Sequence, residues 1–295
     1  MKIVLPPLCL LIVSLTGCTA AQDTRQVSPP VFPATFHATV NRDQHIVFPR
    51  SVSQGAMVIG KVPLGSAVRF GSRLLRLSPD GSVVFGVGRD EKGPLTLAIL
   101  KRDGSKETVR IPVTTRDWPI ERITGVPAAT VNPPPAIAAR IQREQARVVA
   151  VRTRDDARTD FTQAFIWPVR GRISGRFGNQ RIYMLADGSG TPKSAHSGMD
   201  IAAAQGTPVK APAAGIVTFA ESGLYLTGGT MVIDHGHGIS SNFLHLSRID
   251  AKVGDRVQQG QIVAAVGATG RATGPHLHWG MNWFDVRIDP LLLLE

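Results

Sequence analysis

Between positions 56 and 113 the chain runs in short stretches where apolar and polar residues alternate. The stretches are 56–61, 67–70, 74–77, 83–87, 95–100 and 108–113. An alternation of two places one set of side chains on each face of a strand, so each run predicts a half-buried β-strand. Ser78-Pro-Asp-Gly and Arg102-Asp-Gly-Ser supply hairpin-turn chemistry between them. The region 34–115 therefore reads as a small all-β sandwich, immunoglobulin-like in size. No cluster of His, Asp, Glu or Cys within it points to chemistry, so its plain role is a spacer or docking module.

The period changes after Pro133-Pro134-Pro135. Ile137, Ile141, Val148 and Val151 recur near helical spacing, which predicts a helix from 136 to about 159. Its other faces carry Arg140, Arg143, Arg147, Arg152, Arg154 and Arg158, as expected of an amphipathic linker helix packed on a domain. Residues 116–161 form this Pro-rich linker and basic helix. From 162 to 295 strand-like runs return, at 209–219 and 230–245, with short Gly-rich turns and no long helical pattern. The fold class is mainly β, ending in a compact β domain.

At the other end, Met1-Lys2 precedes an apolar run from 3 to 15, too short to span a bilayer as a mature helix. It reads as a secretory signal peptide, residues 1–17. Leu15-Thr16-Gly17-Cys18 resembles a bacterial lipobox, in which Cys18 becomes the lipidated first residue; the competing reading is ordinary cleavage after Ala20 or Ala21. Thr19 is not the Asp that retains such proteins at the inner membrane, so the expectation is an outer-membrane anchor facing the periplasm. Residues 18–33 then serve as a flexible tether. Cys9 and Cys18 are the only cysteines, so a chain starting at Cys18 has no disulfide.

The candidate chemistry lies in three blocks: His196-Ser-Gly-Met-Asp200, Phe243-Leu-His245 and His276-Leu-His278. A spacing of two aligns His276 and His278 only on a strand, and Gly274-Pro275 suits a strand start. A spacing of four lets His196 and Asp200 converge on a strand or on a helix. A catalytic zinc uses three protein ligands and keeps one position for water, so five candidates leave two imidazoles for proton transfer. HExxH is absent, so a histidine is the natural general base. His235 and His237 fall in Asp234-His-Gly-His-Gly and read as a hairpin turn between the runs 230–233 and 239–246. His37 and His45 read as exposed strand positions.

In this order, HxxxD, FLH and HxH resemble the lysostaphin/LytM-type zinc metallopeptidases, which cut peptides of bacterial peptidoglycan. The resemblance runs from about 165 to 294 and includes Gly198, Gly206-Thr-Pro-Val, Asp234-His-Gly-His-Gly, Val253-Gly-Asp-Arg-Val and Gly267-Ala-Thr-Gly. It implies a LytM-type antiparallel β catalytic domain over 162–295. It also implies one Zn2+ held by His196, Asp200 and His278, with His245 and His276 as the catalytic imidazoles. The implied substrate is peptidoglycan stem peptides and cross-links. Two other classes stand beside this one. A LytM-type regulator would bind a cell-wall amidase without cutting, but such relatives lose ligands that this chain retains. A barrel-sandwich carrier or adaptor is suggested by Val253-Gly-Asp-Arg-Val-Gln-Gln-Gly, but the Asp-Lys-Met of a carrier is missing.

The formal net charge of +11 suits acidic stem peptides and anionic envelope polymers. Nucleic acid, the default partner of a basic cytosolic protein, is excluded by the export signal and by the lack of any nucleic-acid motif. The remaining expected partners are the membrane, through Cys18, and a regulatory protein.

Overall fold

The structure, a computed structural model, describes residues 45–294. The expected signal peptide, Cys18, the tether and His37 lie outside the described residues; His45 lies within them and is exposed. The fold is mainly β. No helix among the described residues is long and apolar enough to cross a membrane.

The alternating runs become Met57–Lys61, Ala67–Phe70, Arg73–Leu75, Ser82–Gly86, Leu95–Leu100 and Lys106–Ile111. Leu95, Leu97 and Ile99 point inward while Thr96, Ala98 and Leu100 are exposed, which is the period of two made physical. Arg73–Leu75, Ala67–Phe70, Leu95–Leu100 and Lys106–Ile111 pair in that order as one antiparallel sheet. Met57–Lys61 pairs separately with Ser82–Gly86. Arg102-Asp-Gly-Ser closes a hairpin, as expected. Ser78-Pro-Asp-Gly does not: it turns the chain, with Gly81 at φ 87, but carries it from one sheet to the other. Turn residues fix the reversal of direction, not the partner that the next strand finds.

The apolar faces of both small sheets join the core of the C-terminal β region in one continuous cluster from Val52 to Ile288. Trp283 is the hinge pin of that join. Its ring lies 6.0 Å from Phe70 and 6.4 Å from Phe85.

In the C-terminal region, eight strands form the main sheet. Its path runs Arg172–Gly175, Met199–Ala202, His276–Trp283, Ile239–Leu246, Gly228–Gly236, Gly215–Leu224 and Arg256–Val257. Val286–Ile288 pairs with the far end of His276–Trp283. The linker contributes too. Ile120–Ile123 pairs in parallel with Gln180–Met184, and so adds a strand to the edge of a second small sheet.

Two helices occupy the linker, the single turn α1 at Ala128–Val131 and the longer α2 at Pro135–Val151. In α2, Val148 and Val151 pack on Phe219, Leu224 and Val232 of the main sheet. Arg147 reaches Glu221 at 2.6 Å and Arg140 pairs with Glu144 at 2.6 Å. The helix stops at Val151, short of the expected 159. Arg152 is buried, and the following residues turn down onto the sheet, where Arg158 binds the buried carboxylate of Asp234. The periodic apolar pattern had also ended at Val151, so the extra length rested on charged residues alone.

The pair His235 and His237 departs from the single turn expected. His235 lies inside Gly228–Gly236, fully buried, its ring nitrogens 2.7 Å from the Ala214 carbonyl and 2.8 Å from the Ser241 hydroxyl. Only His237 and Gly238 make the turn, with φ of 49 and 79, the two positive values that a tight two-residue hairpin requires.

Burial pushes His235 down to about 4. Its folded pKa lies below the unfolded value near 6.5, so the unfolded chain binds the extra proton between these values. Stability from this residue is complete above about pH 6.5 and is lost as pH falls towards 4, by up to about 3 kcal/mol. Urea unfolding across that range is expected to give a steeper loss for the wild type than for His235→Gln. Equal slopes would show that this residue does not report on acid stability.

Candidate metal centre

The HxH pair sits at the start of the strand His276–Trp283, with Leu277 buried on the opposite face between the two imidazoles. Asp200 lies directly across from His278 in the antiparallel pairing of Met199–Ala202 with that strand. A cross-strand pair brings side chains on one face to about 5 Å at Cβ, and here this delivers the carboxylate to the imidazole. His196 enters from the loop before the strand. Its Nδ1–H donates to the Arg176 carbonyl at 2.9 Å, which leaves Nε2 as the lone-pair nitrogen.

Three donor atoms then converge. His196 Nε2 is 3.0 Å from His278 Nδ1 and 3.1 Å from Asp200 Oδ1, and His278 Nδ1 is 2.8 Å from that oxygen. A tetrahedral ion with bonds of about 2.0–2.1 Å spaces its ligand atoms roughly 3.3 Å apart, close to this triangle. Two imidazole nitrogens and one carboxylate oxygen are also a donor set that zinc accepts. The residues therefore fit a divalent cation, and these three are the ones among the described residues whose donor atoms cluster for it.

Burial by itself would raise the Asp200 pKa, but the hydrogen bonds and charges of His196 and His278 pull it well below the ordinary carboxylate value. Burial pushes His278 down to about 4, against the raising contact with Asp200. The site thus holds an ionised carboxylate beside a neutral His278, the protonation that metal binding needs.

The other two candidates flank the triangle. His276 Nδ1–H donates to the Gly274 carbonyl at 2.8 Å, and its Nε2 stands 3.8 Å from Asp200 Oδ1. His245 Nδ1–H donates to the Thr269 carbonyl at 2.7 Å. The two rings lie 4.8 Å apart. Burial, then the neighbouring His276 and His278, push His245 down to about 3, so it is neutral at pH 7 with Nε2 free. His245 also has φ 63, a left-handed conformation that costs about 1 kcal/mol or more for a side chain with Cβ. Its N–H donates to the Thr227 carbonyl at 2.9 Å and the ring bond holds the other end, so the strained geometry is over-determined.

Residues 194–290 match the family described as peptidase family M23. The chain carries a peptidase family M23 domain. Within that domain a stretch of 85 residues is 45% identical to the DD-carboxypeptidase/endopeptidase Mpg of Neisseria meningitidis, covering 28% of this chain and 19% of that protein. A stretch of 109 residues is 39% identical to the peptidoglycan DD-endopeptidase ShyA of Vibrio cholerae, covering 37% of this chain and 24% of that protein. The chain thus spans about a fifth to a quarter of the length of these curated relatives. A solved structure described as a peptidase M23 of Pseudomonas aeruginosa aligns at TM-score 0.62 and 29% identity, over 82% of this chain and 94% of that one. That likeness extends beyond the M23 domain into the accessory β region.

Two residues that hold the M23 site were not singled out in the sequence. Arg181 Nη2 binds the second oxygen of Asp200 at 2.5 Å, and Arg181 Nε reaches Glu121 at 3.2 Å. Glu121 comes from the linker strand Ile120–Ile123 and also accepts from Asn179 at 2.6 Å. No local motif marks either one; their pairing exists only because the linker strand docks beside Gln180–Met184. Gly175 and Gly198 show how little room surrounds the site. A Cβ on Gly175 would stand 2.6 Å from Asp200 Oδ2, and one on Gly198 would stand 2.5 Å from the Trp279 carbonyl and 2.8 Å from His278 Nε2.

Outer contacts of this kind orient ligands, and their loss costs about 10–100-fold in metal affinity. Arg181→Ala and Gly175→Ala are each expected to weaken zinc binding by that order, read by competition with a chromophoric chelator. An unchanged affinity in both would show that the Asp200 position is set without Arg181.

Proposed function

We propose that this chain is a zinc-dependent endopeptidase that hydrolyses peptide bonds of peptidoglycan. The observation that carries the reading is the donor triangle of His196, Asp200 and His278 beside two imidazoles whose Nδ1–H groups are fixed on backbone carbonyls. The named relatives Mpg and ShyA support the substrate class.

Zinc, when bound there, supplies Lewis acidity to a peptide carbonyl and lowers the pKa of water. The chain's own residues do the rest. His245 and His276 each fix Nδ1–H on a backbone carbonyl and leave Nε2 for chemistry. One removes the proton of the attacking water as the new C–O bond forms. The other, protonated, holds the negative charge that develops on the carbonyl oxygen. The C–N bond then breaks, and the proton taken from water passes to the leaving amine. Gly274 and Thr269 fix which nitrogen of each ring does this work.

The lipobox-like Leu15–Cys18 supports an exported protein anchored through lipid to the outer membrane, with the M23 domain on the periplasmic side. The strand partnerships in the accessory region support an immunoglobulin-like unit, followed by the linker and the catalytic domain from about 162.

Purified mature protein with one added zinc equivalent is expected to convert cross-linked peptidoglycan dimers to monomers, resolved by mass. His245→Ala is expected to retain zinc and lose at least about a hundredfold in rate, the usual scale for a general base. His278→Ala is expected to lose the zinc itself. Zinc bound at unit stoichiometry with no cleavage by the wild type would favour the regulator class instead.

A further inference from the structure

The face of the sheet that carries His278 continues along its strand. Gly280 and Asn282 follow at even spacing, so they share that face. At the usual rise per residue, Asn282 lies about 13 Å from His278. Cross-strand partners extend the face sideways. Asn282 stands between Ser240 and Arg287, and Asn242 stands between Gly280 and Val232. Helix α2 covers Val232 with Val148 and Val151, and Arg152 follows at its C-terminal end. The far end of the catalytic face is thus a buried polar patch beside the end of a helix.

Donors outnumber acceptors in this patch. Arg152 is 7% exposed, yet its Nε and Nη1 have no hydrogen-bond partner among the described residues. Asn282 is fully buried. Its Oδ1 accepts from Asn242 Nδ2 at 2.5 Å and from Arg287 Nη1 at 3.1 Å, which fixes the amide and leaves Nδ2 unpartnered. The buried Ser240 hydroxyl is unpartnered as well. Against these stands one unpartnered carbonyl oxygen, Asn242 Oδ1.

Charge is unbalanced in the same sense. Burial, then the neighbouring Arg152, push Arg287 down to about 9, with no acid acting against them. Burial lowers Arg152 too, and the one opposing charge on it, Asp285, is exposed to solvent. Both guanidiniums remain charged at neutral pH. Arg158 shows the ordinary solution on the same row of the sheet: it binds the buried carboxylate of Asp234, the cross-strand partner of Ser240. Among the described residues no carboxylate plays that part for Arg152 and Arg287. Water completes hydrogen bonds in such a place but leaves two like charges side by side; an anion satisfies both demands.

We propose that Arg152, Arg287 and Asn282 form a binding site for one small oxyanion, a carboxylate in size and charge, at the far end of the catalytic face. Guanidinium and amide N–H groups are a donor set that suits the two oxygens of such a group. Two sources carry that chemistry. One is a carboxylate of an acidic stem peptide lying along the face. The other is a free anion that fastens the end of α2 to the sheet. The site itself stands without the endopeptidase reading; its assignment to a peptide substrate rests on that reading.

Acetate is the first probe, added to the zinc-loaded mature protein in a chloride-free zwitterionic buffer. The Nε–H signals of Arg152 and Arg287 are expected to shift saturably in nitrogen–proton spectra. At ten times the half-saturating concentration, Tm should rise by about 3 °C in the wild type and stay put in Arg152→Gln. The second probe is a soluble cross-linked stem-peptide dimer, used as it is and with its free carboxylates amidated. Arg287→Gln should raise KM for the acidic dimer about tenfold and leave kcat within about twofold, with no change for the amidated one. Arg287→Lys, which keeps the charge and loses the fork, takes its place if Arg287→Gln does not fold.

Saturable acetate shifts with that KM difference support the site and assign its anion to the peptide. Saturable shifts with equal KM support the site and assign it to a free anion. Saturable shifts with no hydrolysis by any form support the site and reject the endopeptidase reading. Nε–H signals and a Tm that respond to neither acetate nor phosphate overturn the proposal, whichever way KM moves.

Discussion

One oxygen of Asp200 faces His196 and His278, while the other is bound by Arg181, and this division ties the site to distant segments of the chain. The carboxylate is buried, so it stays ionised only because donors surround it on both sides. Arg181 is itself only partly exposed, so its charge gains from a second carboxylate beside it. Glu121 supplies that carboxylate from the linker. The geometry of the triangle therefore depends on a strand that precedes the M23 domain. A domain trimmed to the family boundary at 194 would lack Arg181 and Glu121, and with them the hold on the outer oxygen.

The same residue type does opposite work within a short distance. His235, His245 and His278 are all buried, and in each burial favours the neutral ring. What separates them is where the free nitrogen goes. Both nitrogens of His235 are consumed, by a carbonyl and a hydroxyl, so it is part of the core. His245 spends one nitrogen on the Thr269 carbonyl and keeps the other. His278 turns Nδ1 towards a carboxylate and another imidazole. Chemistry follows the unspent lone pair rather than the residue name.

The accessory β region joins the M23 domain through an apolar cluster around Trp283, not through polar surface contacts alone. Buried aromatic area of this kind makes the join stiff. The linker between them is correspondingly anchored at several points, by the pairing of Ile120–Ile123, by Trp118 against Phe177 at 5.9 Å, and by α2 on Phe219.

The strands of the accessory region and the five site residues were legible in the sequence because both depend on local spacing. A period of two sorts Leu95, Leu97 and Ile99 inward whatever lies beyond them, and it aligns His276 with His278 on one face. Two glycine-flanked histidines announced a reversal near 237, although only the pairing of Gly236 with Ile239 decided that His235 belongs to the strand. Spacing says nothing of partners in space. That Ser78-Pro-Asp-Gly joins two sheets and that Glu121 reaches Arg181 follow from burial of a shared core, which brings together residues whose separation along the chain carries no signal.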